Sequence, residues 1–206
     1  MKPERTKGKA VFIDKDGTLV YDVPYNVNPD LVVLQDGVPG AMKALKDAGF
    51  LLVLISNQSG IARGLFTEND LEPVKAKIQE ELLPVGVQLD AFYFCPHHPC
   101  GHVDQYNIVC SCRKPKPGML LQAAAALNID LRQSWMVGDI LDDVEAGNRA
   151  GCRTILIDNG NENRWQKAAI RHPTFKAASF ADAAEMILLI HLHNHLHERG
   201  SAKYYR

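Results

Sequence analysis

The sequence predicts an α/β fold, a Rossmann-like parallel sheet flanked by helices. Two observations support this prediction: short apolar, β-branched runs recur along the chain, and segments with helical patterning separate them. Strands that alternate with helices are typical of βαβ units, whose strands pair in parallel. The predicted strands are residues 11–13, 51–55, 91–94, 135–137 and 154–157, and the predicted helices are residues 41–48, 68–83, 117–127 and 142–150.

Local signals mark the ends of several predicted helices. Thr67 and Asp70 have the spacing of a capping box at the start of the second helix. Pro117 suits the first turn of the third helix, because its fixed φ is already helical. Gly151 follows the fourth helix and favours a stop there. The apolar segment 183–192 predicts a further helix near the C-terminus.

Composition is that of an ordinary globular chain. The 206 residues are 46% hydrophobic and 23% charged, which suffices for one domain with a substantial core. We therefore predict a single domain over residues 1–206. The formal net charge of -1 gives no whole-protein attraction to nucleic acid or anionic membrane. No apolar stretch approaches the ~20 residues needed to span a bilayer. From the charge and the apolar pattern together, we expect neither nucleic acid nor membrane as a partner.

The N-terminus and the cysteines indicate the compartment. Residues 1–5 are charged and no apolar signal core follows them, which predicts a cytoplasmic chain. In that compartment the five cysteines are expected as reduced thiols, metal ligands or catalytic groups rather than disulfides. A monomer is the expected state.

Two aspartates one residue apart follow the first predicted strand. Strand side chains alternate, so Asp14 and Asp16 point the same way at its carboxyl end, and Gly17 allows a tight turn. In open α/β sheets, ligands bind beyond the carboxyl ends of strands. Two carboxylates that close require a cation or a shared proton. The pair favours magnesium and phosphate chemistry over the alternative of a common Asp-Gly turn.

Polar residues follow two other predicted strands. Ser56, Asn57 and Gln58 supply hydroxyl and amide donors that can hold phosphate oxygens, although a plain polar turn is the better explanation when they are taken alone. Asp139, followed by Asp143, can supply another hard oxygen ligand for magnesium. Acidic residues that merely complement a helix N-terminus are the alternative there.

The segment 95–112 contains four residues with the spacing of a zinc site. Cys95 and His97 form one short pair, and Cys110 and Cys112 form another. Four such ligands can close a tetrahedral Zn²⁺ site with no open position, which predicts a structural metal. The alternative is free thiols in a loop.

Two cations come directly after the last of these cysteines. Arg113 and Lys114 can neutralise phosphate charge, and the alternative is a solvated basic turn. Because they adjoin Cys112, a zinc ion in the loop would set the position of both cations.

Taken in order, these motifs resemble the haloacid dehalogenase (HAD) superfamily of phosphohydrolases. Asp-x-Asp-Gly-Thr, a strand-end Ser, a Lys before a helix and Gly-Asp-x-x-x-Asp follow one another over roughly residues 9–160. The segment 56–64 and the zinc-like loop narrow the resemblance to one branch, the D-glycero-D-manno-heptose 1,7-bisphosphate phosphatases and histidinol-phosphatases. That branch has little or no cap domain, so the expected fold is HAD-like and capless or minimally capped.

The resemblance implies a mechanism. Asp14 would be the nucleophile that becomes an aspartyl-phosphate, and Asp16 would be the acid and base. Magnesium would be held by the Asp14 carboxylate, the Asp16 carbonyl and the Asp139 carboxylate. Asp143 would act from behind these ligands, through water or by orienting them.

The resemblance also implies substrate contacts. Ser56 and Lys114 would hold the transferring phosphoryl group. Asp22 and Tyr25 would contact the sugar, and Arg113 would hold a hydroxyl or the phosphate. The expected partner is therefore a small phosphorylated sugar.

Three departures bear on the substrate. The family often has Asn where this chain has Val20, and Lys where it has Ile140. The loop between His97 and Cys110 is longer than in the shortest histidinol-phosphatases, which favours heptose bisphosphate. Histidinol phosphate is the alternative substrate, and a catalytically degenerate sugar-phosphate-binding module is the alternative function.

The C-terminal segment 180–206 contains four alternating histidines, His191, His193, His195 and His197. Alternation would suit an extended metal-binding strip. The apolar residues before them favour a helix with a polar end instead, and we assign these histidines no function.

Overall fold

A computed structural model describes residues 7–162 and 168–201, without the side chains of residues 195 and 197–201. Within these residues, six strands form one sheet in the order β3-β2-β1-β4-β5-β6, and every neighbouring pair is parallel. The strands are β1 (Lys9–Ile13), β2 (Phe50–Asn57), β3 (Ala91–Cys95), β4 (Trp135–Gly138), β5 (Arg153–Ile157) and β6 (Phe175–Ala177). The predicted parallel sheet is confirmed.

Helices cover both faces of the sheet. They are α1 (Val38–Asp47), α2 (Ser59–Ala62), α3 (Leu71–Leu82), α4 (Gly118–Leu127), α5 (Leu141–Ala150) and α6 (Phe180–Ser201). The α1, α3 and α6 helices share one hydrophobic cluster with the sheet, while α4 and α5 pack on the other face. Such burial on both faces explains why the strands read as continuous apolar runs.

The central strand β1 is buried on both faces. Val11 and Ile13 belong to the cluster on one side, and Ala10 and Phe12 to the cluster on the other. All four side chains are fully inaccessible to solvent. The residue that follows this strand is therefore held at a fixed place at the edge of the sheet.

The predicted elements are present, and two short ones were missed. The sequence predicted neither β6 nor α2. The predicted helix 68–83 begins as a 3₁₀ turn, Glu68–Asp70, in which the Thr67 N–H donates to the Asp70 carboxylate over 2.7 Å. Gly151 ends α5 with a φ of 88°, a left-handed conformation that glycine adopts without strain.

The segment between β1 and α1 contains only a 3₁₀ turn, Pro29–Leu31, as expected for a chain without a cap domain at this position. No helix among the described residues combines the length and apolarity needed to cross a bilayer.

The histidine-rich end of α6 is helical, as the favoured interpretation predicted, and not an extended strip. The His191 ring lies 2.7 Å from the Lys9 ammonium and packs edge-on against Phe50. The side chains of His195 and His197 lie outside the described residues.

Candidate active site

The polar residues predicted at the strand ends meet at one edge of the sheet. Asp14 follows β1, Ser56 lies near the end of β2, and Asp139 follows β4. Because β1 lies between β2 and β4 and all three run in parallel, their carboxyl ends adjoin. A cleft of about 460 Å³ opens there, lined by Asp14, Asp16, Asp22, Ser56, Asn57, Lys114, Asp139, Ile140, Gly160 and Asn161.

A buried lysine lies at the base of this cleft. The Lys114 ammonium pairs with the Asp14 carboxylate, lies 2.6 Å from Asp143 Oδ1 and donates to the Ile55 carbonyl over 3.0 Å. Burial lowers the pKa of Lys114, but the two carboxylates outweigh that effect and hold the pKa above its ordinary value. Lys114 therefore remains charged at neutral pH.

Three buried carboxylates, Asp14, Asp139 and Asp143, lie together at this site, and Lys114 pairs with two of them. Burial raises the pKa of Asp14 to about 7, even though Lys114 opposes the rise. Burial likewise raises the pKa of Asp139 to about 6 and that of Asp143 to about 6. Their ligand oxygens lie within 4.8 Å of one another. This excess of buried hard oxygen ligands over cations is compatible with a divalent cation such as Mg²⁺.

Asp139 is held by groups on two other loops. The Thr18 hydroxyl donates to Oδ1 over 3.2 Å, and the Asn161 amide donates to Oδ2 over 2.7 Å. Gly17, with a φ of 78°, packs so closely that a Cβ there would overlap the Asp139 carboxylate. The predicted turn residue Gly17 thus also admits Asp139 to the site.

Asp16 has partners on both sides. The Lys15 ammonium, almost fully buried, pairs with Oδ1. The Gln58 amide donates to Asp16 Oδ2 over 3.3 Å and to the Ser56 hydroxyl over 2.7 Å. Gln58, predicted as a phosphate ligand, thus links the Asp16 carboxylate to the Ser56 hydroxyl.

The Asn57 side chain is bonded to backbone atoms of Lys114, which lies in the segment between Cys112 and α4 that we call the lysine loop. Its amide donates to the Lys114 carbonyl over 3.1 Å, and its Oδ1 accepts the Lys114 N–H over 3.0 Å. Both ends of the Asn57 amide are therefore engaged with one peptide segment. This pair of bonds holds the lysine loop against the end of β2.

The four predicted zinc ligands converge. The Cys95 sulfur lies 3.5 Å from that of Cys110 and 3.1 Å from that of Cys112, and the last two are 3.2 Å apart. His97 Nδ1 lies 3.3 Å from the Cys112 sulfur. Sulfurs bound to one tetrahedral Zn²⁺ at about 2.3 Å lie about 3.8 Å apart. Three sulfurs and one imidazole nitrogen this close are compatible with zinc.

This cluster is joined to the lysine loop. The Lys116 ammonium donates to the Cys110 carbonyl over 2.8 Å, and the Arg113 N–H donates to the Cys110 sulfur over 3.3 Å. At the start of α4 the Gly118 N–H donates to the Ser111 carbonyl over 3.0 Å. Residues on both sides of Lys114 are therefore fixed to the Cys/His cluster.

The residues predicted to contact substrate occupy different places. Asp22 lines the main cleft and also an adjoining pocket of about 230 Å³, where Tyr25 lies with its side chain half exposed. Arg113 donates instead to the His97 carbonyl over 3.4 Å. Its contact with substrate stays a prediction.

Of the two single-residue departures from the family pattern, Val20 and Ile140, one faces the cleft. Ile140 lines it. Val20 is buried in the main hydrophobic cluster, where its backbone bridges to Asp16 and Leu34. Ile140 is therefore the position of the two that can affect substrate preference directly.

Sequence reasoning missed Lys15 and the loop after β5. Asn159 donates to the Gly17 carbonyl over 2.9 Å, and Asn161 reaches Asp139. No motif marks this loop, which reads as a polar turn. Its position after a strand end was the one available signal.

Comparison with known proteins agrees with this geometry. The HAD-hydrolase-like family model matches residues 111–183. The chain is similar to D-glycero-beta-D-manno-heptose-1,7-bisphosphate 7-phosphatase of Yersinia pestis, at 47% identity over 73% of this chain and 81% of the relative. The protein of that name from Escherichia coli K12 is also 47% identical, over 73% and 80% of the two chains.

A solved structure is similar as well. It is D,D-heptose 1,7-bisphosphate phosphatase from B. bronchiseptica, complexed with magnesium and phosphate. It superposes with a TM-score of 0.72 at 31% identity, over 88% of this chain and 98% of its own. These similarities confirm the predicted family. The chain belongs to the haloacid dehalogenase-like phosphoric monoester hydrolases, in the family of the heptose 1,7-bisphosphate 7-phosphatases.

Proposed function

We propose that this protein hydrolyses the 7-phosphate of D-glycero-D-manno-heptose 1,7-bisphosphate with Mg²⁺ and an aspartyl-phosphate intermediate. The observation that carries the proposal is the buried cluster of Asp14, Asp139 and Asp143 around Lys114 at the carboxyl edge of the sheet. The substrate is proposed from curated relatives, 45–47% identical to this chain, whose names state that activity.

Asp14 is the proposed nucleophile. Its carboxylate attacks phosphorus, the bond from phosphorus to the leaving oxygen breaks, and a phosphoryl group remains on Asp14. Lys114, paired with Asp14, favours the deprotonated carboxylate against the cost of burial. Lys114 and Ser56 are the proposed ligands of the transferring phosphoryl oxygens.

Asp16 is the proposed acid and base. It protonates the leaving alcohol in the first step and accepts a proton from the attacking water in the second, which releases phosphate and restores Asp14. The ion pair with Lys15 and the bond from Gln58 orient the Asp16 carboxylate toward the cleft. Phosphoryl transfer depends chiefly on such positioning and on charge neutralisation.

Two metals complete the proposal. Asp14, Asp139 and the Asp16 carbonyl are the proposed ligands of Mg²⁺, with Asp143 behind them. When bound, Mg²⁺ neutralises charge on the phosphoryl oxygens. Cys95, His97, Cys110 and Cys112 are the proposed ligands of a structural Zn²⁺.

The sugar contacts, the oligomeric state and the compartment are also part of the proposal. Asp22 and Tyr25 contact the sugar from the pocket next to Asp16, and Arg113 contacts a hydroxyl or the phosphate. The chain acts as a monomer on a small phosphorylated sugar, without nucleic acid or membrane. Thiols that serve as zinc ligands suit a reducing cytoplasm.

The nucleophile and acid assignments are tested by two isosteric variants. Asp14→Asn and Asp16→Asn should each lower kcat by about 10³-fold or more, measured as phosphate release at saturating Mg²⁺, and both should keep the wild-type circular dichroism spectrum. Asp47→Asn, at an exposed carboxylate on α1, should retain full activity. Full turnover by purified Asp14→Asn would end the nucleophile assignment.

Substrate choice is tested by one comparison. Values of kcat/KM for heptose bisphosphate and histidinol phosphate should differ by at least about tenfold in favour of the first, because hydrogen-bonding sites reject substrates that leave polar groups unpaired. A preference for histidinol phosphate would move the chain to the alternative activity. Failure to hydrolyse any phosphomonoester with Mg²⁺ present would favour the non-catalytic binding module.

A further inference from the structure

The loop after β5 contacts the candidate metal site at three points. Its residues, 158–162, define what we call the β5 loop. Asn159 donates to the Gly17 carbonyl over 2.9 Å, Asn161 donates to Asp139 Oδ2 over 2.7 Å, and Glu162 accepts the Leu141 N–H over 2.6 Å. One loop is thus bonded to the turn after β1, to the residue after β4 and to the start of α5.

We propose that Asn161 is a positioning residue that sets the orientation of the Asp139 carboxylate toward Mg²⁺. The inference rests on the magnesium site of the proposed function and extends it to a residue that no motif marks.

The two hydrogen bonds to Asp139 define a single orientation. Thr18 donates to Oδ1 and Asn161 to Oδ2, so neither oxygen can rotate away without losing a bond. Each carboxylate oxygen keeps a second lone pair for a cation. Partners of this kind, placed behind metal ligands, commonly change metal affinity 10–100-fold when removed.

Close packing adds to this constraint. A Cβ on Gly17 would lie 2.6 Å from Asn161 Nδ2 and would overlap Asp139. The absence of a side chain at Gly17 is therefore what lets the Asn161 amide reach the carboxylate. Asn159, bonded to the Gly17 carbonyl, holds that turn against the same loop.

Asn161 also faces the cleft, which it lines together with Gly160 and Ile140. Its amide is neutral, so it supports Asp139 without neutralising it. A cation at this position would compete with Mg²⁺ for the carboxylate, whereas an amide leaves the charge of Asp139 available.

The experiment measures Mg²⁺ binding without substrate, as the rise in Tm over a Mg²⁺ titration, alongside the Mg²⁺ dependence of phosphate release. Asn161→Leu, close to isosteric and without a donor, should raise the half-saturating Mg²⁺ concentration about tenfold or more in both measurements. Its loss of phosphate release should be largest at low Mg²⁺ and should shrink as Mg²⁺ approaches saturation. Asn161→Gln, which keeps the amide, should recover much of the affinity.

Asp158→Ala is the matched control, because Asp158 lies in the same loop but pairs with Lys176 on the surface. It should leave the Mg²⁺ dependence unchanged. Should Asn161→Leu fold poorly, Asn161→Ala serves, since it only removes atoms from an exposed side chain.

Two results would overturn the inference. One is an Asn161→Leu protein whose half-saturating Mg²⁺ concentration matches wild type. The other is an Asn161→Leu protein whose Tm lies below that of wild type by the same amount in EDTA and in Mg²⁺, which would mark a purely structural role. A wild-type chain whose Tm does not respond to Mg²⁺ would remove the metal site as well, and so would be distinguishable from failure of Asn161 alone.

Discussion

At the scale of single residues, Lys114 carries the charge balance of the site. It is the buried ammonium in contact with both Asp14 and Asp143. Removing one partner from a buried ion pair leaves the other charges buried and uncompensated, which destabilises the fold by more than the intact pair stabilises it.

Lys114→Met should therefore destabilise the fold by about 3–5 kcal/mol and abolish phosphate release. Urea unfolding at pH 7 in EDTA gives the stability, and phosphate release at saturating Mg²⁺ gives the activity. Lys75→Met, at a half-exposed lysine on α3, should cost less than about 1 kcal/mol. A stability loss at Lys114 no larger than at Lys75 would contradict the prediction.

Residues next to strand ends could be predicted, and residues brought in by tertiary contacts could not. Asp14 and Asp139 follow buried apolar runs, so their place was readable from the sequence. Asn161 and Lys15 acquire roles only through neighbours distant in sequence or through burial. Asn57 was expected as a donor to phosphate, whereas its amide is bonded to the Lys114 backbone.

At the scale of elements, the Cys/His cluster holds the loop that bears Lys114. Cys95 ends β3, and Cys110 and Cys112 lie just before α4. A metal here would join a strand to the start of a helix across a long irregular segment. Since metal binds the folded chain in preference to the unfolded one, its removal lowers stability.

Removal of zinc by a strong chelator should lower Tm by about 6–12 °C, the shift expected for a loss of about 3 kcal/mol in a chain of this size. Activity should fall with it, because the lysine loop loses its support. Cys110→Ser should reproduce both effects, while Cys100→Ser, at an exposed thiol, should reproduce neither. Unchanged Tm and activity after verified zinc removal would exclude a structural zinc.

Long periodic elements were predicted, and short ones were missed. The β6 strand has three residues, of which Phe175 and Lys176 are exposed, so it shows neither an apolar run nor alternation. The α2 helix has four residues, about one turn, and its formation depends on packing rather than propensity. Neither leaves a periodic signal in the sequence.

At the scale of the whole molecule, the described residues form a single sheet with two helical layers. Because β1 and α6, near the two ends of the described chain, contribute side chains to the same hydrophobic cluster, both ends are part of one core. We propose on this basis that residues 1–206 behave as one domain.

Thermal unfolding of the protein should then show one cooperative transition. Sedimentation equilibrium should give a mass near 22.8 kDa, the value for a monomer. Two resolved transitions would contradict the single domain, and a mass near twice that value would contradict the monomer.

The central place of β1 has a consequence for how the family can diversify. The strand that positions Asp14 is hydrogen-bonded on both edges and buried on both faces, so most substitutions within it would destabilise the fold. Ile140, by contrast, stands at the rim of the cleft, before the start of α5. We expect mutation there to alter the preferred alcohol at little cost in stability, so that substrate range can drift over evolution while the chemical step is retained.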